Sequence, residues 1–236
     1  MKNEHFPSAL LRLGGIAGIL AGVFVITFAL IADSNHIFFF QDVYSGGSVE
    51  PWIINVQASA ALSKFIMALP ILGFSCFLIV GKILYQYMEE NNWQKNLAIV
   101  GYSIGVPVSI VMWILQLSLM NHVLLNYGQS PEMDIQINSQ VSLVLFFFHI
   151  TNDVFGPLFI IVLGSGFMAW ALLKAEIFPK WFCYTGMLIA LVLAISFLSV
   201  INPALRVLSN VAPLHMLWFI LLGVFLLKSA KRNASD

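Results

Sequence analysis

Six stretches of this chain, residues 10–31, 58–85, 97–119, 141–173, 181–200 and 211–227, each run for 17 residues or more with few charges. About 20 such residues cross the roughly 30 Å hydrocarbon core of a bilayer as one helix. Lipid offers the backbone no hydrogen-bond partners, and the runs lack the polar alternation of membrane-barrel strands, so helices are the spanning form that remains. The expected architecture is an all-α bundle of six transmembrane helices. It forms one domain over residues 1–236, because no Pro-, Gly- or Ser-rich linker divides the chain. Composition closes off the soluble alternative, since 9% of the residues are charged and 60% hydrophobic, where a soluble domain carries about 25% charge.

Cations set the expected orientation, because short loops rich in Lys and Arg stay in the cytoplasm. Lys2, Arg12, Lys82, Lys95, Lys174, Lys180, Lys228, Lys231 and Arg232, nine of the eleven, fall on one side. The opposite loops, residues 33–57 and 120–140, hold Asp33, Asp42, Glu50, Glu132 and Asp134 and no Lys or Arg. Both termini are therefore expected in the cytoplasm. The first run exceeds the 7–15 apolar residues of a secretory signal and is kept as a span. The outer loop carries Phe38, Phe39, Phe40, Trp52, Ile53 and Ile54, too apolar for a solvated linker, and is expected to fold onto the membrane surface or cap the helices. Glu89 and Glu90 read as a solvated cytoplasmic turn.

Eleven basic residues balance eleven acidic ones, which leaves no basic stripe for nucleic acid. Cys76 and Cys183 stand in separate apolar runs and fit neither a disulfide framework nor a paired-cysteine metal site. Glycine-rich phosphate loops and nucleophile-elbow motifs are absent. Gly14, Gly18 and Gly22, and again Gly101, Gly105 and Ser109, recur every four residues, the spacing that lets helix backbones approach closely inside a bundle. Pro70, Pro107 and Pro157 interrupt spans, and in an α-helix each frees the carbonyl four residues earlier, that of Asp153 in the last case.

Ionisable residues inside spans are costly and face the bundle interior or a wet cavity. Lys64, His149, Asp153 and His215 qualify. Counting along the expected helices puts all four in the outer half, with Gln116 and Asn152 at similar depth and Asn121, His122 and Arg206 nearby. That predicts a polar cavity open to the extracytoplasmic side, suited to a small molecule or a lipid. His149 and Asp153, four apart, share one helical face. The preferred arrangement is an ion pair, Lys64 with Asp153 or His149 with Asp153, and no cofactor is expected. The alternative joins His215 to His149 and Asp153 as a zinc ligand set, which would make the chain a metal-dependent intramembrane hydrolase.

The opening LRLGGIAGILAGVFVITFALI, the segment IMALPILGFSCFLIVGKILYQYMEENN leading to LAIVGYSIG, the block TNDVFGPLFIIVLGSGFMAWALLKAEIFPKWFCYTGMLIALVLAI and the closing LHMLWFILLGVFLLKSAKR resemble an uncharacterised bacterial membrane family, domain of unknown function 4386. The resemblance covers nearly the whole chain and implies a six-helix protein of the bacterial cytoplasmic membrane. It implies a basic residue before the acid at the Asn152-Asp153 step, where this chain has Asn152. It brings no activity with it. The membrane zinc hydrolases related to alkaline ceramidase supply the pattern for the enzyme alternative, with seven helices and one more histidine. The expected function is that of a binding, accessory or transport-like membrane protein rather than an enzyme, with a structural subunit of a membrane complex as a further alternative.

Overall fold

The computed structural model of the chain describes residues 6–34, 49–88 and 92–234. Among them the regular elements are all helical. They are α1 (Ser8–Ser34), α2 (Glu50–Ala58), α3 (Ala60–Tyr87), α4 (Trp93–Asn126) and α5 (Pro131–His149). From α5 the chain runs through two π-helical segments, Ile150–Phe155 and Pro157–Gly166, into α6 (Phe167–Lys174). After α7 (Lys180–Ser196) come two 3-10 segments, Phe197–Val200 and Pro203–Val211, and then α8 (Ala212–Arg232).

Five of these helical stretches have the length and apolarity to cross a membrane: Ser8–Ala32, Ala60–Tyr87, Trp93–Asn126, Pro157–Lys174 and Val207–Arg232. The remaining expected span, 181–200, is not among them. There α7 has 17 residues, about 25 Å at 1.5 Å per residue, and gives way at Phe197 to a 3-10 turn. Asn202 precedes Pro203, whose ring forces it extended (φ −130°, ψ 101°), so the helix cannot continue. The expected span 141–173 is also redrawn. Its path belongs to α5, both π segments and α6, and the membrane-length apolar part starts at Pro157. A π turn pairs each N–H with the carbonyl five residues back rather than four. Assigning the carbonyl orphaned by Pro157 to Asp153 holds for an α-helix and does not carry over to this segment.

The long elements close into a ring. α1 lies between α8 and α3, α3 between α1 and α4, the second π segment between α4 and α7, and α7 meets α8. The α1–α8 seam depends on the first glycine stripe: a Cβ at Gly18 would sit 3.0 Å from Gly223 Cα, and one at Gly223 2.5 Å from Gly15 O. The second stripe seats α4 on the π segment, where a Cβ at Gly101 would lie 2.5 Å from Phe159 O. Asn233 Nδ2 donates to Phe6 O at 3.4 Å, so the two ends of the described chain meet at one end of the bundle.

The core divides by height. The half nearer those ends is built on Phe77, Tyr87, Tyr102, Phe182, Trp218 and Phe219, and the far half on Phe28, Trp52, Ile66, Trp113, Met120 and Phe148. At the far end α2 buries Trp52, Ile53 and Val56 and leaves Ile54 exposed, capping the helices as its composition led one to expect. Residues 35–48, with Phe38, Phe39 and Phe40, and the turn with Glu89 and Glu90 lie outside the described residues.

Turn chemistry fixes the helix ends. Asn92 caps α4 by accepting from Lys95 N–H at 2.8 Å. Lys95 Nζ donates to Met88 O at 2.6 Å and stands 4.3 Å over the Tyr85 ring, so a cation meets the carbonyl end of α3. Between α4 and α5 the backbone at Gly128 turns left-handed (φ +90°), which favours glycine, and Gly128 N–H donates to Asp134 Oδ1 at 2.7 Å.

Candidate functional site

The most developed polar constellation joins α4, the second π segment and α8. Ser165 Oγ lies 2.8 Å from Tyr102 Oη and 2.6 Å from His215 Nε2, and its hydroxyl reaches Ile160 O at 3.1 Å, five residues back along the π turn. Ser165 and His215 are each 1% exposed and Tyr102 is fully buried. Phe77 stacks on the imidazole with ring centroids 5.8 Å apart, and Phe219 meets it edge-on at 5.0 Å.

The hydrogens can be counted. If Ser165 donates to Ile160 O, its two lone pairs accept from Tyr102 O–H and from His215 Nε2–H, and all three hydroxyl valences are used. His215 Nδ1 is then a bare lone pair, without a partner among the described residues. A serine 2.6 Å from an imidazole has the spacing of a nucleophile and its base. Here, though, the Oγ is enclosed and its lone pairs are occupied. The arrangement suits holding helices in register rather than attacking a substrate.

A second polar feature sits farther along α4. Gln116 is fully buried, and neither its Oε1 nor its Nε2 has a partner among the described residues. The antiparallel seam between α4 and the π segments sets what lies opposite. Gly101 meets Phe159 and Gly164, Gly105 meets Phe159 and Ile160, and Ser109 Oγ lies 3.4 Å from where a Cβ on Gly156 would stand. Continuing that register brings Gln116 to the backbone level of His149. The side chains of His149, Asn152 and Asp153 lie outside the described residues. Near Gln116, a shallow surface depression of about 420 Å³ lies between α4 and α5 at Ser118, Leu119, His122 and Gln140. His122 Nδ1 is 3.1 Å from Asn126 Nδ2.

The expected cluster is thereby divided. Gln116 and the 149–153 step share one level. His215 belongs to the other, because it is linked through Ser165 to Tyr102, which stands about 21 Å along α4 from Gln116. Of the zinc set His149, Asp153 and His215, only His215 has a described side chain, and it is engaged with Ser165. Among the described residues no three His, Cys, Asp or Glu side chains converge. Lys64 lies one turn into α3 on its exposed side, whereas α3 packs on α1 and α4, and the first π segment on α4 and α5. Ile66 and Met67 pack with Trp113, Met120 and Phe148, so Lys64 stands in the far half of the bundle with its side chain turned outward, while the Asp153 side chain lies outside the described residues. From there Lys64 can extend its stem along lipid toward the interface.

Tyr102 and Ser165 escaped the sequence reading. The signal available was their position: Tyr102 follows Gly101 in the second small-residue stripe, and Ser165 lies between Gly164 and Gly166. No protein-family model, curated protein or solved structure matches the chain.

Proposed function

We propose that this chain is a six-span protein of the bacterial cytoplasmic membrane, with both termini inside, that binds a small polar molecule or a lipid headgroup in the outer half of its bundle and acts in a transport-like or accessory role. Kinship with the domain of unknown function 4386 family is part of this reading and rests on the motif order given above. The contact between Asn233 and Phe6 supports an even number of crossings, since two chain ends on one side require it. Counting the short α7 hairpin as a span brings the total to six.

The observation that carries the binding reading is Gln116. A buried carboxamide with both atoms unsatisfied costs several kcal/mol in an apolar setting, and it stands beside a 16-residue stretch made largely of π turns, a distortion frequent at functional sites. A shallow depression at His122 and Gln140 lies on the surface one turn from Gln116. Thiol accessibility tests the reading. In a protein with Cys76 and Cys183 replaced by Ala, Gln116→Cys in sealed right-side-out vesicles should react with a cationic methanethiosulfonate reagent, more slowly than Ser118→Cys. An inert Gln116→Cys beside a reactive Ser118→Cys would dismiss the site.

A further inference from the structure

The α7–α8 hairpin carries a groove of about 280 Å³ on its outer side, away from the Tyr102–Ser165–His215 chain. Ile189 and Trp218 form its buried floor, and Leu188, Val192, Leu214 and Leu217 its walls. Two of its three polar side chains, Thr185 and Trp218, are already committed. Thr185 Oγ1 donates to Trp181 O at 2.8 Å, and Trp218 Nε1 donates to Phe182 O at 3.0 Å. Beyond the Trp181 indole at its rim a polar ligand would find nothing to bond, so the chemistry of the groove selects an apolar occupant.

Length and charge narrow the choice. The groove runs from Trp181 to Val192 along α7, about 16 Å, which is one leaflet of a roughly 30 Å core. At the Trp181 end the rings of Trp181 and Phe225 lie 6.1 Å apart, and Lys228 Nζ stands 5.9 Å over Phe225. Lys180 immediately precedes Trp181. Among the described residues, the α6–α7 turn and the end of α8 carry Lys174, Lys180, Lys228, Lys231 and Arg232 against one acid, Glu176. An aromatic pair rimmed by cations at the end of a leaflet-long apolar channel matches a lipid with a negative headgroup.

We infer that the α7–α8 groove is a binding site for one acidic phospholipid, its acyl chain between Leu188 and Leu217 and its phosphate facing Lys180 and Lys228. The site rests on the membrane setting of the chain and stands apart from the Gln116 level, so either can fail without the other.

Native mass spectrometry of the detergent-purified full chain tests it, with phosphatidylglycerol and phosphatidylcholine of identical acyl chains supplied in equal amounts. One phosphatidylglycerol should be retained per chain, in preference to phosphatidylcholine. Near a membrane surface each lysine contributes about a fivefold preference for an anionic lipid. Lys180→Gln with Lys228→Gln should therefore bring retention of the two lipids close to equal, at unchanged thermal stability. Leu217→Trp, which fills the channel from its lipid-facing wall, should abolish retention of both while the lysines remain. Equal retention of the two lipids by the unmodified protein would overturn the inference, as would a preference that survives loss of both lysines. A lipid-free dimer covering the same face would also overturn it.

Discussion

Ser165 is one small hydroxyl that serves two larger side chains, so its removal should cost more than its size suggests. Ser165→Ala leaves the buried Tyr102 hydroxyl and His215 Nε2–H without their acceptor. Each buried orphan costs about 1–3 kcal/mol, so we expect a destabilisation of about 2–4 kcal/mol by thermal unfolding in detergent. A loss below about 1 kcal/mol would mean that the chain of hydrogen bonds is not what holds these helices. The same geometry fixes the tautomer. Nitrogen-15 NMR of His215 should show the proton on Nε2 and a bare Nδ1, and Ser165→Ala should remove that preference. At this scale the sequence reading was half right in kind. Depth along a helix can be counted from the residues, but azimuth cannot when apolar side chains surround the whole circumference. Hence Gln116 and His215 read correctly as interior groups, while Lys64 was assigned to the interior and lies on the exposed face. Tyr102 and Ser165 carry no charge and raised no alarm inside apolar runs.

The elements most sensitive to substitution are those joined through glycine. Gly223 faces Gly15 O and Ile19 N, both under 3 Å from a Cβ placed on it, and both are backbone atoms that cannot rotate aside. Gly223→Val should therefore push α8 off α1 and cost about 1–3 kcal/mol, the range for overpacking a close-packed interior. Gly128→Ala offers a control, because nothing lies within 4 Å and the cost there comes only from the left-handed backbone. A Gly223→Val protein as stable as the unmodified chain, in the same detergent, would contradict the seam. Helix existence was readable from apolar length alone, and the small-residue spacing announced tight seams. Which helix each stripe meets was not readable, because glycine spacing describes one surface and never its partner. The π segments were also hidden, since a five-residue turn leaves no compositional trace.

For the molecule as a whole, the unresolved quantity in the sequence was parity. Hydropathy counts spans, and α7 at 17 residues sits at the margin where counting fails. The meeting of Phe6 and Asn233 addresses parity from geometry instead. Thiol labelling of intact cells checks the result in a protein freed of Cys76 and Cys183. Gln129→Cys in the α4–α5 turn should be modified by an impermeant maleimide, and Glu176→Cys in the α6–α7 turn should be spared until the membrane is opened. Both positions are exposed, so access decides the outcome rather than burial. Labelling of Glu176→Cys in sealed cells would invert the orientation.

The pairing of α1 with α8 also has a consequence for how the protein is made. α1 emerges first from the ribosome and its most extensive neighbour emerges last. About 180 residues separate the end of one from the start of the other, which at 5–20 residues per second takes roughly 10–35 s. Throughout that interval the Gly15, Gly18 and Gly22 face is bare to lipid or to whatever insertion factor holds it, and the ring cannot close. An early stop codon anywhere before α8 would therefore leave a string of inserted helices with an open seam, recognisable to membrane quality control as unfinished.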